Sequence, residues 1–337
     1  MTQSSIQSIP DNIESIPDNI DVGTTRLGKF LKNHAIRVRD SRELSCKLDR
    51  IRAQGPWKFQ LVSDFDRTLT PQWIKDPCAK TGALLQCLSS HGVIESSPLL
   101  SPDYVRVTKE LAEHYIPMEH DHRLELEEKK RVVEEWYHKA HECMLREDVS
   151  QNKLVDIVKL AWSRCEIHLR NKCADLFTVL RDMSIPVTVL SAGIADVIES
   201  ILDLEEIPVG EGSNVMVVGN RMMFDSAGKH VGFAEPVIHS LNKRDALSHS
   251  LHLSTERAQR PNALLMGDLI GDVDFVHSIP HLEEFIAIGF LGDPKPDSVK
   301  TDYEDRIETY LKHYDIVILN GSASVEVALE LIKSMFR

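Results

Sequence analysis

Phe59-Gln-Leu-Val-Ser63-Asp64-Phe-Asp66-Arg67-Thr68-Leu-Thr70 is the stretch on which the fold turns. Phe59 to Val62 is a short apolar run of strand character, and it stops at two acids spaced i, i+2. If the strand period of two continues past Ser63, Asp64 and Asp66 face one side at the carboxyl end of the strand. That is where an open α/β sheet places its ligands. Two carboxylates so close repel unless a cation sits between them or one stays protonated. The pair therefore asks for a hard metal ion, a proton-transfer role, or both. A strand that merely ends in a solvated acidic turn is the plain alternative.

The 337 residues give room for a large domain or two, and 42% hydrophobic with 27% charged residues is ordinary for a globular chain. A formal net charge of −13 speaks against binding a nucleic-acid polymer or an anionic membrane. A small anionic substrate remains compatible, because a metal and one well-placed Lys reverse the local field. Cys46, Cys78, Cys87, Cys143, Cys165 and Cys173 form no C-x-x-C pair and read as free thiols of a reducing compartment. No apolar run reaches the roughly 20 residues that span a bilayer. The first 21 residues carry Asp11, Glu14, Asp18 and Asp21 and resemble no secretory or transit peptide. The cytosol is the expected compartment and a monomer the default state.

Working outward, residues 1–23 hold a tandem heptad, Ile6-Gln-Ser-Ile-Pro-Asp-Asn12 and Ile13-Glu-Ser-Ile-Pro-Asp-Asn19, whose prolines point to a disordered tail. Residues 24–53 are basic and read as helical, with Leu44, Leu48 and Ile51 near one face. After Pro71 a long insert follows, with almost no strand signal from 76 to 170. Helical stretches are expected near 78–90, 103–114, 123–147 and 151–170. Beyond about 185, short β-rich runs alternate with helices: 186–190, 214–218, 262–266, 285–288 and 315–319. Met222 to Val231 reads as a small hairpin. The fold class is therefore α/β: a Rossmann-like core with a mainly parallel sheet (24–75 and 171–337), interrupted by an all-helical cap (76–170).

Each later strand ends in polar residues. Val189-Leu190 runs into the turn Ser191-Ala192-Gly193, with a helix expected from Ile194; hydroxyl and backbone N–H groups there suit an anion. Leu264-Leu265-Met266 runs into Gly267-Asp268-Leu-Ile-Gly-Asp272. Neighbouring parallel strands lie about 4.8 Å apart, so Asp64 and Asp268 can share one Mg²⁺, with Asp272 in or behind its ligand set. Lys243, in Leu241-Asn-Lys-Arg-Asp245 and near a helix start, supplies a balancing cation. Asn-Lys-x-Asp also occurs in GTPases, but no G-x-x-x-x-G-K-[ST] loop accompanies it. His138, His141 and Cys143 have loose zinc-ligand spacing and no fourth ligand, and His120 with His122 is a lesser pair of the same kind.

These four segments in this order resemble the haloacid dehalogenase superfamily of phosphohydrolases. Together with His114-Tyr-Ile-Pro-Met-Glu119-His-Asp121, Glu135-Trp-Tyr-His-Lys-Ala-His141 and Leu190-Ser-Ala-Gly-Ile-Ala-Asp-Val197, they resemble the eukaryotic cytosolic pyrimidine 5′-nucleotidases, including the 7-methylguanosine-monophosphate-specific relatives. The similarity runs from about Ile36 to the C-terminus. It implies Asp64 as nucleophile and Mg²⁺ ligand, and Asp66 as general acid/base that also lends its backbone carbonyl to the metal. Ser191 and Ala192 would hold the phosphate, Lys243 would neutralise nucleophile and phosphoryl charge, and Asp268 would complete the Mg²⁺ site. Thr68 and Asp272 would stand behind these groups. Glu119 would read the base, and Tyr115, Trp136 and Tyr137 are aromatics near it, with Trp136 expected to pack. Three departures stand out: Ala140 where the family commonly has a Ser that contacts the base, Arg67 inside the first motif with its side chain expected to point away from the acids, and Leu269-Ile270 in place of a more polar pair.

The function implied is Mg²⁺-dependent hydrolysis of nucleoside 5′-monophosphates through an aspartyl-phosphate. Phosphotransfer to an acceptor nucleoside uses the same residues. A catalytically silent nucleotide-binding protein would need a broken nucleophile or metal set, and none is broken here. A phospho-Asp receiver would keep its aspartate open to a kinase, which the helical insert opposes.

Overall fold

The computed structural model describes residues 35–75, 84–119, 123–292, 300–319 and 324–337, with Gly28, Leu31, Asn33 and Asp121. The N-terminal heptads, Cys78, His120 and His122 lie outside the described residues. In chain order the strands are β1 (Ile36–Val38), β2 (Phe59–Ser63), β3 (Trp73–Lys75), β4 (Leu84–Gln86), β5 (Val187–Ile194), β6 (Val215–Asn220), β7 (Met222–Phe224), β8 (His230–Phe233), β9 (Asn262–Gly267), β10 (Glu284–Phe290) and β11 (Ile316–Ile318).

A seven-stranded sheet runs β1-β11-β10-β9-β2-β5-β6. Every pairing in it is parallel except that of β1 with β11 at the edge. The strand bearing the acidic motif, β2, lies between β9 and β5, and all five of its residues are buried. That explains its unbroken apolar run: a strand covered on both faces has no polar side to alternate with. Along β9, Leu264 and Met266 pack on one face of the sheet while Ala263 and Leu265 pack on the other, the period of two splitting the core into two layers.

The helix Ser41–Gln54 starts where the Asp40 side chain accepts from the backbone N–H groups of Arg42 and Glu43. It ends at Gly55, whose φ of 82° a side chain would strain. Leu44, Leu48 and Ile51 are buried as one stripe, and Lys47 reaches Asp315 at 2.9 Å, tying the helix to the entry of β11. Basic character thus belongs to a packed element, and the helical reading from residue 24 gives way at 36–38 to an edge strand.

Between β4 and residue 170 lie the helices Ser90–Glu95, Pro102–Glu119, Leu126–Leu145 and Gln151–Ser163. The second and third pack against each other, burying Tyr104, Thr108 and Tyr115 from one and Val133, Ala140 and Met144 from the other, spacings that keep one face inward. Two readings of this region need correction. A helix over 78–90 is replaced at Leu84–Gln86 by β4, which pairs antiparallel with β3; Leu84 and Leu85 are exposed apolar residues on that ribbon. The last helix stops at Ser163, closed by Arg164 and a left-handed Cys165 (φ 55°), well short of residue 170. The hairpin β7–β8 stands where Met222 to Val231 was read as one. Among the described residues no helix is long and apolar enough to cross a membrane.

Candidate active site

β2 and β9 run in register, with Ser63 opposite Met266, so Asp64 and Asp268 leave adjacent strand ends. The Asp64 N–H donates to the Met266 carbonyl at 2.9 Å, which extends the ladder by one step. Past Asp268 the chain winds into the 3₁₀ segment Ile270–Ser278. There Asp272 turns back, and its Oδ2 accepts from the N–H groups of Asp268 (3.1 Å) and Leu269 (3.0 Å). Gly267 is required for this closure, since a Cβ there would stand 2.5 Å from that of Asp272. Tyr310 donates its hydroxyl to the Asp268 carbonyl at 2.6 Å and Tyr314 does the same to Leu269, clamping the loop from behind. As a result, carboxylate oxygens of Asp64, Asp268 and Asp272 all lie within 4.8 Å of one another.

Lys243 opens the helix Lys243–Leu253 directly after Asn242. Its buried Nζ donates to Asp64 Oδ1 at 2.6 Å and stands 3.6 Å from Asp272 Oδ1. Burial alone would lower its pKa, but the charges of Asp64 and Asp272 and the hydrogen bond to Asp64 hold it raised. Burial, then the neighbouring Asp64 and Asp272 charges, raises Asp268 well above the usual carboxylate range. Burial pushes Asp272 up to about 6, with Lys243 opposing. Three carboxylates face one ammonium, and Asp64 Oδ2 is buried without a hydrogen-bond partner. An acceptor in that condition beside two more hard oxygen donors has the chemistry of a divalent-cation site.

Asp66 is placed differently from the pleat expectation. After Ser63 the strand gives way to a tight turn in which the Phe65 carbonyl accepts from Leu69 N–H at 2.9 Å and Arg67 takes a left-handed φ of 65°. The Asp66 carboxylate turns to the first helix of the insertion, where Ser90 donates to it from its N–H (2.8 Å) and its hydroxyl (2.7 Å). Burial pushes Asp66 up to about 6, the Asp64 charge adds to this, and the Ser90 hydrogen bonds oppose it. Ser90 also abuts Gly193: a Cβ at Gly193 would fall 1.7 Å from the Ser90 hydroxyl. Arg67 does not point clear of the acids; it lines the same cavity, and its charge lowers the Asp268 pKa. Thr68 is buried and does not line the cavity, its carbonyl accepting from Arg170 Nε at 2.9 Å.

Ser191, Ala192 and Gly193 border the opposite wall. The turn expected there is instead the end of β5, which continues through a register shift to Ile194, with the helix beginning at Ala195. Asn220 pins that segment by donating to the Ala192 carbonyl at 2.7 Å. The Ser191 hydroxyl accepts from Gly193 N–H at 2.9 Å.

These groups share a cavity of 360 Å³ that extends from Asp64, Asp66 and Asp268 toward the insert helices. At its far end Glu119 accepts from the Ser240 hydroxyl at 2.6 Å. Trp136, Tyr137 and Ala140 line it as well, and Trp136 stacks on Tyr115 with ring centres 6.1 Å apart. Tyr115 itself stands behind that wall, donating to Glu135 at 2.8 Å. Sequence reading missed Ser90, His91, Glu95 and Ser240. The first three sit on the short helix that follows β4, which begins where the expected helix over 78–90 was to end. Burial pushes Glu95 up to about 7 and His91 down to about 4. The zinc reading fails on packing: the His141 ring stacks on Phe233 at 3.7 Å, its pKa lowered to about 3 by burial. Among the described residues the aspartate triad is the group able to hold a metal.

A family model for pyrimidine 5′-nucleotidases (UMPH-1) matches residues 79–336. The chain belongs to this family. The first acidic motif lies just before the matched segment, and longer alignments take it in by their extent. A 7-methylguanosine phosphate-specific 5′-nucleotidase of Gallus gallus is 30% identical over 288 residues, 86% of this chain and 92% of the relative. The A form from Xenopus laevis is 32% identical over 289 residues, again 86% and 92%. Among solved structures, cytosolic 5′-nucleotidase IIIB bound to cytidine superposes with a TM-score of 0.74 at 26% identity, covering 91% of this chain and 95% of that one. This member of the pyrimidine 5′-nucleotidase family is thus a 5′-nucleotidase, a phosphomonoester hydrolase.

Proposed function

We propose that this 5′-nucleotidase hydrolyses nucleoside 5′-monophosphates, pyrimidine nucleotides and 7-methylguanosine monophosphate, through a phosphorylated Asp64. The observation that carries the reading is the state of Asp64: Oδ1 is held by Lys243 at 2.6 Å, while Oδ2 is buried, unpartnered and faced by Asp268 and Asp272. Mg²⁺, held by Asp64, Asp268 and Asp272 with the Asp66 carbonyl, would supply charge neutralisation for a dianionic phosphate.

An Asp64 carboxylate oxygen attacks phosphorus, and the bond to O5′ breaks. Asp66, pushed up to about 6, is protonated in part near neutral pH and gives that proton to the departing O5′. It then takes a proton from the water that attacks the aspartyl-phosphate, regenerating Asp64 and releasing phosphate. Ser191, Ala192 and Lys243 hold the phosphoryl oxygens, so positioning and charge balance provide most of the acceleration. Asp272 orients the Gly267–Leu269 turn through its two backbone bonds. Residues 76–170 act as the cap over the core of 24–75 and 171–337, which carries Glu119 to the base and excludes water. Two acids at the base end, Glu119 and Glu95, favour a positively charged 7-methylguanine; the names of the curated relatives agree with that preference. The cytosol is the proposed compartment.

Phosphate release from CMP, UMP, 7-methylguanosine monophosphate and AMP, with and without Mg²⁺, tests the reading, with Asp64→Asn as control. Release that survives Asp64→Asn overturns the nucleophile. Release from AMP as fast as from the others overturns the base assignment.

A further inference from the structure

Behind the reaction centre lies a second cavity of 100 Å³ that the mechanism does not use. It shares Arg67, Asp268 and Leu269 with the substrate cavity, and Arg170, Arg306, Gln72 and Tyr310 complete its polar lining. In a chain of net charge −13, three guanidinium groups around so small a space reverse the prevailing field. Arg170 is fixed: it donates to the Thr68 carbonyl at 2.9 Å and the Arg67 carbonyl at 2.8 Å, and lies 4.5 Å over the Phe290 ring. Arg306 hydrogen-bonds Tyr310, the residue that braces Asp268. Gln72 Oε1 is buried there with no partner, and its carboxamide occupies the space that a Cβ at Gly292 would need, 2.1 Å away.

The lining chooses among ligands. The volume is that of a few water molecules, too small for a nucleoside and sufficient for a tetrahedral oxyanion. Guanidinium forks match such an oxyanion, and hydrogen phosphate also carries an O–H for Gln72 Oε1, which sulfate lacks. We propose that this chamber binds inorganic phosphate released from Asp64, so that phosphate leaves past Arg67 and Asp268 while the nucleoside leaves from the cap side. The inference rests on the phosphohydrolase reading for the source of its ligand, but not for the binding itself.

Two measurements test it on the full chain. Calorimetric titration of inorganic phosphate into the wild-type protein and into Arg306→Gln reads binding without turnover. Arg306 lines this chamber and not the substrate cavity, so the substitution is expected to weaken phosphate about tenfold, with Arg306→Lys recovering part of the loss and sulfate weaker than phosphate throughout. In steady state with Mg²⁺, phosphate is expected to inhibit wild type with a non-competitive component that Arg306→Gln loses, while the nucleotide KM holds. Equal phosphate affinity in wild type and Arg306→Gln, or purely competitive inhibition identical in both, overturns the chamber. Absence of nucleotide turnover would instead overturn the hydrolase reading and leave the titration to decide the chamber.

Discussion

Replacing Lys243 by Met removes the ammonium 2.6 Å from Asp64 and 3.6 Å from Asp272 and leaves three carboxylates buried together. At an effective dielectric near 20, the closer pair alone attracts by about 6 kcal/mol before desolvation is counted. Breaking a buried pair by deleting one partner costs about 3–5 kcal/mol, because the other charge stays behind. For a chain of this length, each kcal/mol moves the melting temperature by about 2 °C, so the metal-free variant is expected to melt about 6–10 °C lower at pH 8. The pH dependence has a definite sign. Asp272 and Asp268 have folded-state pKa values above their unfolded ones, so their contribution is present at low pH and is lost as pH rises through those values, about 6 for Asp272. The deficit of Lys243→Met therefore shrinks toward pH 5, as the carboxyls take up protons. Mg²⁺ is expected to raise the variant's melting temperature more than that of wild type, since it replaces the missing cation and no longer meets a repelling ammonium. Melts in chelator and in Mg²⁺ at pH 5 and pH 8 decide the matter. Equal melting temperatures without metal, or equal shifts with it, refute the charge balance argued for this centre.

Glu95→Gln removes an acid that burial pushes up to about 7, and so flattens a loss of stability expected between pH 4.5 and 7; at pH 8, discounting for partial exposure, chemical denaturation should show a gain of about 1–2 kcal/mol, with weaker binding of 7-methylguanosine monophosphate. Gly193→Ala drives a Cβ to 1.7 Å from the Ser90 hydroxyl, displacing the donor to Asp66; kcat should fall at least tenfold while far-ultraviolet dichroism stays native. Glu119→Gln leaves an acceptor for Ser240 but removes the charge, so kcat/KM for 7-methylguanosine monophosphate should drop about tenfold or more while that for CMP changes less.

The acidic strand end was legible because a strand buried on both faces reads as an unbroken apolar run, and because two runs, at Leu61 and Leu264, stop at aspartates. The parallel sheet followed from the alternation of such runs with helices. What the linear pattern did not contain was the path of the chain beyond each strand. The Phe65 turn rotates Asp66 toward Ser90, and nothing in Asp-Phe-Asp-Arg states that Arg67 will take a positive φ. At Ser191 the reverse occurred: small polar residues read as a turn stayed extended because β6 lies alongside them and Asn220 holds Ala192. Leu84 and Leu85 of the ribbon strand stand four and three residues before Leu88, a helical spacing, and the strand's pairing with Trp73–Lys75 decides the outcome. Glu95 and Ser240 are single polar residues without local pattern; the fold alone brings them to one cavity.

The central claim is that Asp64 carries the phosphoryl group during turnover. Rapid acid quenching of the protein with Mg²⁺ and a radiolabelled 5′-monophosphate, followed by peptide mapping, addresses it directly. The account predicts a label, labile to hydroxylamine, on the peptide containing Asp64, and none in Asp64→Asn. A label on another residue, or rapid phosphate release with no labelled protein at any quench time, would contradict it.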